Sequence, residues 1–346
     1  MRKHQILLAI IGCILVIPTI SASENCPPNA NTIPCESGYV FSEPNVTPLT
    51  PNQTLMYDRW YHQVTQRAEV LDAPGGTAVR VIEPGFNFVT ILSDTDGWAQ
   101  INQGEYVSSE FLTDTSWIVS SFTGVLLPPE GLEYTMAWVL VNLYPSSTPG
   151  EEPLESNGLI YRYTRVNIYD TATINGEDWF MIGDGQWVHQ YHVARILPIQ
   201  RPETIDTNLW VSIDLYEQVL IAYQGETPVF STLVSTGLPR WPTREGTWHI
   251  YYRNPREYMS WGTVGDDFYS LEEVPWTMFF DEGRALHGAY WHDGFGYRRS
   301  HGCVNLSITD AKWLYDWVAA DMGSTRSADV EEGPAVFVYS SGEYTE

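Results

Sequence analysis

One stretch of the sequence concentrates side chains able to do chemistry. Residues 284–306 hold His287, His292 and His301, three of the chain's eight histidines, together with Cys303. Nucleophilic catalysis by cysteine needs a thiolate, and so a base within hydrogen-bond reach and a field that favours negative charge. The turn Ser300-His301-Gly302-Cys303 suits this, because a glycine there can expose the sulfur and aim backbone N–H groups at a developing oxyanion. A helix starting just after Asn305 would set its positive end near Cys303 and lower the thiol pKa. His287 lies far enough upstream to sit on a neighbouring strand and approach the sulfur from the side. A buried structural cysteine among packing histidines is the plainest alternative, and the clustering of three histidines around such a turn disfavours it. A zinc site from His287, His292, His301 and Cys303 would use ligand types that suit zinc. The spacings match no compact ligand pattern, and a metal would consume the nucleophile. No metal and no cofactor is expected.

The elements that must position these groups are legible on either side. Ser307-Ile308-Thr309-Asp310 has capping-box form, and Ala311, Leu314 and Val318 follow at helical spacing, so the one convincing helix is expected there. Upstream, Leu209, Val211, Ile213 and Leu215 alternate with Trp210, Ser212 and Asp214, the pattern of a half-buried strand. Apolar runs at 219–223 and 229–234 flank Gln224-Gly225-Glu226, which predicts a hairpin. Nearer the N-terminus, Val79 and Val81, then Phe86 and Phe88, alternate between turn markers at Pro74-Gly75-Gly76 and Pro84-Gly85. A repeat follows: Trp98, Ile101, Gly104 and Val107 return in register as Trp179, Ile182, Gly185 and Val188. Self-similarity at this spacing predicts two copies of one small β module.

The repeated unit resembles bacterial SH3-like modules, at 57–115 and at 134–203, the second carrying an acidic insertion around Glu151-Glu152. That resemblance implies positioning on the cell wall or on substrate; spacers without affinity are the alternative. Segments 24–56 and 116–133 read as linkers. The remainder, 204–346, resembles the L,D-transpeptidase (YkuD) family of cell-wall cross-linking enzymes. Its signature is matched by His287 followed at a distance by Ser300-His301-Gly302-Cys303-Val304-Asn305. Residues 209–223 resemble the family's opening hairpin. Val234-Ser235-Thr236-Gly237, then Pro242-Thr243-Arg244-Glu245-Gly246-Thr247-Trp248, resemble its next conserved segment, and Val274-Pro275-Trp276 leading into Leu286-His287-Gly288 also fits.

The resemblance implies a mainly β chain: two small SH3-like barrels, then a β-rich catalytic domain with one main helix after the catalytic cysteine. It implies acyl transfer on peptidoglycan stem peptides through a Cys303 thioester, with His287 as general base and the Gly288 carbonyl orienting it. Backbone N–H groups around Gly302 and Cys303 would form the oxyanion hole, with Ser300 and His301 shaping the turn. Asn305 stands where many relatives carry Arg and others Asn, so Arg299 is a second candidate for the substrate carboxylate. Trp291 and His292 are expected on the cleft wall. An L,D-carboxypeptidase, with water as acceptor, would use the same residues, and a non-catalytic wall-binding protein is the alternative from another class. Acylation of Cys303 by carbapenems is also implied.

Composition bounds the setting. With 18 Lys+Arg against 43 Asp+Glu the formal charge is −25, which repels nucleic-acid phosphates and excludes a nucleic-acid partner. At 43% hydrophobic residues the chain can build packed cores. Residues 1–23 read as a signal peptide: Arg2 and Lys3, an apolar run at 6–17 too short to span a bilayer, then Ser21, Ala22 and Ser23. Acylation at Cys13 and an uncleaved anchor are the alternatives. Export makes Cys26 and Cys35 a reasonable disulfide pair and leaves Cys303 as the odd thiol. The expectation is an exported monomer working at the cell wall.

Overall fold

Strand alternation decides where the cysteine and the histidine point. In the computed structural model, which describes residues 39–322 and 333–343, strands Arg284–Gly288 and Val304–Leu306 run parallel. Leu286 lies opposite Val304, His287 opposite Asn305 and Gly288 opposite Leu306. Successive side chains take opposite faces of a strand. Leu286, Val304 and Leu306 therefore share a face, and they are buried in one cluster with Ala311, Leu314 and Val318 of the helix Ile308–Met322. His287 and Asn305 take the other face.

The helix forms where its cap and apolar stripe predict. Ser307 Oγ accepts the Asp310 N–H at 3.2 Å, closing half of the expected capping box. The other half does not form. The buried Asp310 carboxylate instead accepts from Gly124 N–H at 2.9 Å and from the Thr232 hydroxyl at 2.7 Å, tying the helix to two distant segments. Gly288 lets the helix come close: a Cβ there would lie 3.3 Å from Ile308 Cα and 3.4 Å from Ala311 Cβ.

Two large sheets carry the C-terminal part. The first runs Thr47–Pro48, Val125–Leu126, Thr227–Leu233, Val219–Gln224, Leu209–Asp214, Ala335–Tyr339, Gly246–His249, antiparallel except where Leu209–Asp214 meets Ala335–Tyr339. The predicted hairpin is its centre. The second runs Val304–Leu306, Arg284–Gly288, Tyr269–Asp281, Phe86–Ile91, Trp60–Val64, Leu112–Asp114, with Tyr252–Trp261 also paired to Tyr269–Asp281. Tyr269, Ser270 and Leu271 pair in parallel with Phe86, Asn87 and Phe88, so N-terminal strands continue a C-terminal sheet.

The repeat has a backbone counterpart. Trp98–Asn102 and Glu105–Ser108 pair through Gly104, which has φ +73°; a short 3-10 turn and the strand Leu112–Asp114 follow. In the second copy Glu177–Gly183 and Gln186–His189 pair through Gly185, which has φ +58°, and a 3-10 turn and Val193–Arg195 follow. Both turns need positive φ, which glycine adopts without strain. The strands before each repeat differ: Ala68–Leu71 and Ala78–Ile82 form a hairpin in the first copy, whereas 140–164 holds only isolated bridges and a 3-10 turn.

Three readings need correcting. The strand Leu209–Asp214 is buried on both faces, not one, because the Ile308–Met322 cluster covers Val211 and Ile213 while Trp210 packs in a second cluster with Trp138 and Tyr223. Part of the first expected linker is ordered structure: Thr47–Pro48 pairs with Val125–Leu126, and Gln53–Met56 is a helical turn capped by Asn52, with Met56 buried. The second expected linker supplies that partner strand. The signal peptide, the Cys26–Cys35 pair and residues 24–38 lie outside the described residues. Among the described residues no helix is long and apolar enough to cross a membrane.

Candidate active site

The face of the parallel pair that carries His287 and Asn305 opens into a cavity of about 510 Å³, within the usual range for a small-ligand site. Eight of the ten residues singled out from the sequence line it: His287, Trp291, His292, Arg299, Ser300, His301, Cys303 and Asn305. Gly288 and Gly302 stand behind them and act through their backbones.

His287 is buried, and its Nδ1 lies 3.1 Å from the Gly288 carbonyl oxygen. A carbonyl only accepts, so Nδ1 carries the proton and Nε2 keeps its lone pair. Burial lowers the imidazole pKa to about 4 against the partial help of that carbonyl, so the ring rests neutral. Trp291 packs beside it, ring centroids 5.6 Å apart.

The cysteine sits at the end of a turn whose groups brace one another. Ser300 Oγ donates to the Cys303 carbonyl at 2.5 Å and accepts the Gly302 N–H at 3.0 Å. Thr243 Oγ1 donates to the Gly302 carbonyl at 2.9 Å and accepts the Gly237 N–H at 2.9 Å. Gly302 has φ +111°, so its conformation favours glycine, while a Cβ there would meet only the movable Arg284 side chain. The Gly302 N–H is thus taken by Ser300, which changes the expected oxyanion hole: the Cys303 N–H is the turn's remaining candidate.

Cys303 is partly exposed, among apolar neighbours that include Met259, Leu271 and Ala285. Burial pushes its thiol up to about 11, against a backbone hydrogen bond from Ala285 and the charge of Arg284. The expected lowering by the helix is overturned. The helix starts at Ile308, beyond the intervening strand, and the dipole's influence fades within a turn.

His292 and Asn305 form a second polar pair. His292 Nδ1 accepts the Gly294 N–H at 3.1 Å, and burial lowers its pKa to about 3. The neutral ring must then carry its proton on Nε2, which lies 3.0 Å from the Asn305 side-chain amide. That pairing sets the amide oxygen toward His292 and turns the NH2 to the other, buried terminus, which has no protein partner. Asn305, which lines the cavity, so keeps a buried and unmet donor.

The other expected residues take plainer places. His301 packs at a tilt against Trp241, ring centroids 3.9 Å apart, near Trp261 and Tyr269. Arg299 lies across Gly294, whose carbonyl accepts from its Nε at 3.3 Å. Among the described residues no three His, Cys, Asp or Glu side chains are grouped to hold a metal ion. The sequence reading missed Arg298, Tyr269, Met259, Leu238 and Phe86 on the cavity wall and Thr243 behind the turn. Thr243 lay in a motif already noted. Phe86 arrives by long-range strand pairing, for which no local pattern exists.

A turn-borne cysteine and a carbonyl-oriented neutral histidine thus meet at one pair of parallel strands. Residues 208–336 match the family model of YkuD, the L,D-transpeptidase catalytic domain. This stretch is similar to YkuD catalytic domains. Over 130 residues the chain is 25% identical to YciB of Bacillus subtilis (strain 168), named among the L,D-transpeptidases; the match covers 33% of this chain and 63% of that one. Among solved structures it is similar to an L,D-transpeptidase from Mycobacterium smegmatis, at 21% identity over 47% of this chain and 67% of that chain, TM-score 0.33. It is also similar to one from Stackebrandtia nassauensis, at 26% identity over 39% and 57%, TM-score 0.28. The catalytic domain of the E. faecium L,D-transpeptidase is covered completely by 39% of this chain, at 21% identity and TM-score 0.32. The matched stretch holds the central strands of the first sheet, the cavity's cysteine and its three histidines.

Proposed function

We propose that the chain is an exported peptidoglycan L,D-transpeptidase, with Cys303 as nucleophile and His287 as general base. One observation carries the reading: the Nδ1 contact to Gly288 leaves Nε2 as a lone pair on a residue lining the same cavity as Cys303. The thiol proton passes to His287 Nε2 as Sγ attacks the carbonyl of the L-configured centre at stem position three. The oxyanion is met by the Cys303 N–H. Collapse breaks the amide, the terminal D-residue leaves with the proton from His287, and a thioester remains. A side-chain amine of a second stem then attacks, gives its proton to His287 and releases the thiol with a new amide cross-link. The proton balance closes over the cycle.

Thiol and imidazole both rest neutral, so the thiolate forms as substrate enters rather than standing ready as an ion pair. Asn305, with its amide fixed by His292, lines the cavity where the substrate would lie, and Arg299 offers positive charge at the cavity edge. The two repeated units are proposed as SH3-like modules that position the enzyme on the wall, and the leader at 1–23 as its export signal.

The test is the acyl-enzyme. Intact-mass spectra of the chain incubated with disaccharide-tetrapeptide should show a thioester adduct on Cys303. Cys303→Ala should show none, and His287→Ala should form it far more slowly. Adduct formation indifferent to Cys303 would end the reading.

A further inference from the structure

Part of the rim of the Cys303 cavity is anchored from outside the matched stretch 208–336. Between the strands Arg284–Gly288 and Val304–Leu306 the chain makes a loop, whose Trp291, His292 and Arg299 line the cavity. The middle of this loop is tied within the stretch. The Gly294 carbonyl accepts from Ser235 Oγ at 3.0 Å, and the Gly296 N–H donates to the Val234 carbonyl at 2.9 Å. Asp293, next to His292, is tied differently. Its carboxylate and carbonyl take their hydrogen bonds from Ser120, Arg162 and Tyr163, and none of these belongs to residues 208–336.

Arg162 and Tyr163 share one tight turn of the second repeated unit, in which the Thr164 N–H reaches the Tyr161 carbonyl at 3.1 Å. Tyr163 has φ +68°, a conformation costly for a bulky side chain and kept only where the surroundings impose it. Its hydroxyl is fully used. It accepts from Arg162 at 2.7 Å and from the Phe295 N–H at 3.2 Å, and it donates to the Asp293 carbonyl at 3.0 Å. Arg162 Nη2 lies 2.6 Å from the Asp293 carboxylate, and its guanidinium sits 4.2 Å over the Tyr163 ring. That ring packs at a tilt on Phe122, centroids 4.5 Å apart. The two side chains thus grip the loop on both sides of Gly294. The Gly294 N–H fixes His292 Nδ1, and Arg299 lies across Gly294. The grip ends where two cavity residues begin.

We propose that Tyr163 and Arg162 are positioning residues of the active site: by fixing Asp293 and Phe295 they set His292 and Arg299 on the cavity wall. The second repeated unit thereby completes a rim that the matched stretch does not hold alone. The consequence for substrate rests on the proposed function, in which Arg299 meets the substrate's negative charge. Cys303 and His287 are held by their own turn and strand, so loss of the grip weakens substrate binding more than chemistry.

The test uses the full chain with Tyr163→Phe, which keeps the ring and loses the hydroxyl, and with Arg162→Ala and Arg162→Lys. Thermal melts set a temperature at which each is folded. With disaccharide-tetrapeptide, KM should rise about fivefold or more in Tyr163→Phe and in Arg162→Ala, while kcat stays within about twofold. Arg162→Lys, which restores the charge, should recover part of the loss. A second readout needs no substrate: ring-nitrogen NMR of His292, assigned with His292→Gln. The unaltered chain should show one fixed tautomer protonated on Nε2, and the first two variants should show its signals averaging. KM unmoved in both variants overturns the proposal, as does a fall in kcat at constant KM. Unchanged His292 signals in both variants also overturn it. Averaged His292 signals in the variants, with no turnover even in the unaltered chain, would sink the proposed function and leave the grip standing.

Discussion

His287 donates through Nδ1 to the carbonyl oxygen of Gly288, its own neighbour, across 3.1 Å. A histidine base normally borrows a carboxylate to fix its tautomer; here the backbone does so without adding charge. The orientation follows from the strand that carries both residues, and with it the free Nε2.

The first consequence is a displaced acid limb. As the proposed base, His287 would work when neutral, and burial lowers its pKa from 6.5 to about 4. Activity per substrate encounter should therefore persist as pH falls through 6 and drop only near 4, read as kcat/KM between pH 3 and 8 with folding checked by circular dichroism. A limb near the ordinary histidine value would contradict a buried, neutral His287.

A resting thiol gives a second prediction. With its pKa raised to about 11, Cys303 is almost wholly protonated at neutral pH. Alkylation by iodoacetamide in the absence of substrate should be slow there and rise about tenfold per pH unit up to that value. A plateau reached below pH 8 would mean a preformed thiolate.

The turn should be intolerant of small losses. Ser300→Ala removes the group that joins Cys303 O to Gly302 N–H, and Thr243→Val removes the one that joins Gly302 O to Gly237 N–H. Each should cost about 1–3 kcal/mol in urea unfolding, and kcat should fall by about tenfold or more because the sulfur is no longer held. Full activity in both variants would show that the turn holds itself.

Asp310 is the fourth case, far from the chemistry. Its buried carboxylate takes Gly124 N–H and the Thr232 hydroxyl, and burial raises its pKa to about 6. Asp310→Ala strands both donors and should destabilise by about 2–3 kcal/mol at pH 5. The raised pKa means the carboxyl's stabilising share is fully present below its ordinary value of 3.8 and is lost as pH rises through 6. Asp310→Asn should flatten that part of the stability–pH curve; an unchanged curve would contradict the assignment.

What could be read in advance was local. The Ser300–Cys303 turn, the Ser307 cap, the hairpin at Gln224-Gly225-Glu226 and the Gly104 and Gly185 turns each rest on neighbours in sequence. The Gly288 contact was anticipated only through resemblance. What escaped was built at long range. No pattern near Phe86 announces that it will pair beside Tyr269, and nothing in an alternating strand tells that both its faces will be covered. The thiol's pKa failed for the same reason: the helix was visible in the sequence, while the apolar packing that outweighs it was not.

The most direct measurement offers disaccharide-tetrapeptide to the mature protein and resolves the products by mass spectrometry, with Cys303→Ala and His287→Ala alongside. A cross-linked dimer that vanishes in both variants is the predicted result. Tripeptide without dimer would replace the acceptor amine by water and make the enzyme a carboxypeptidase. Products unchanged by the loss of Cys303 would contradict the account outright.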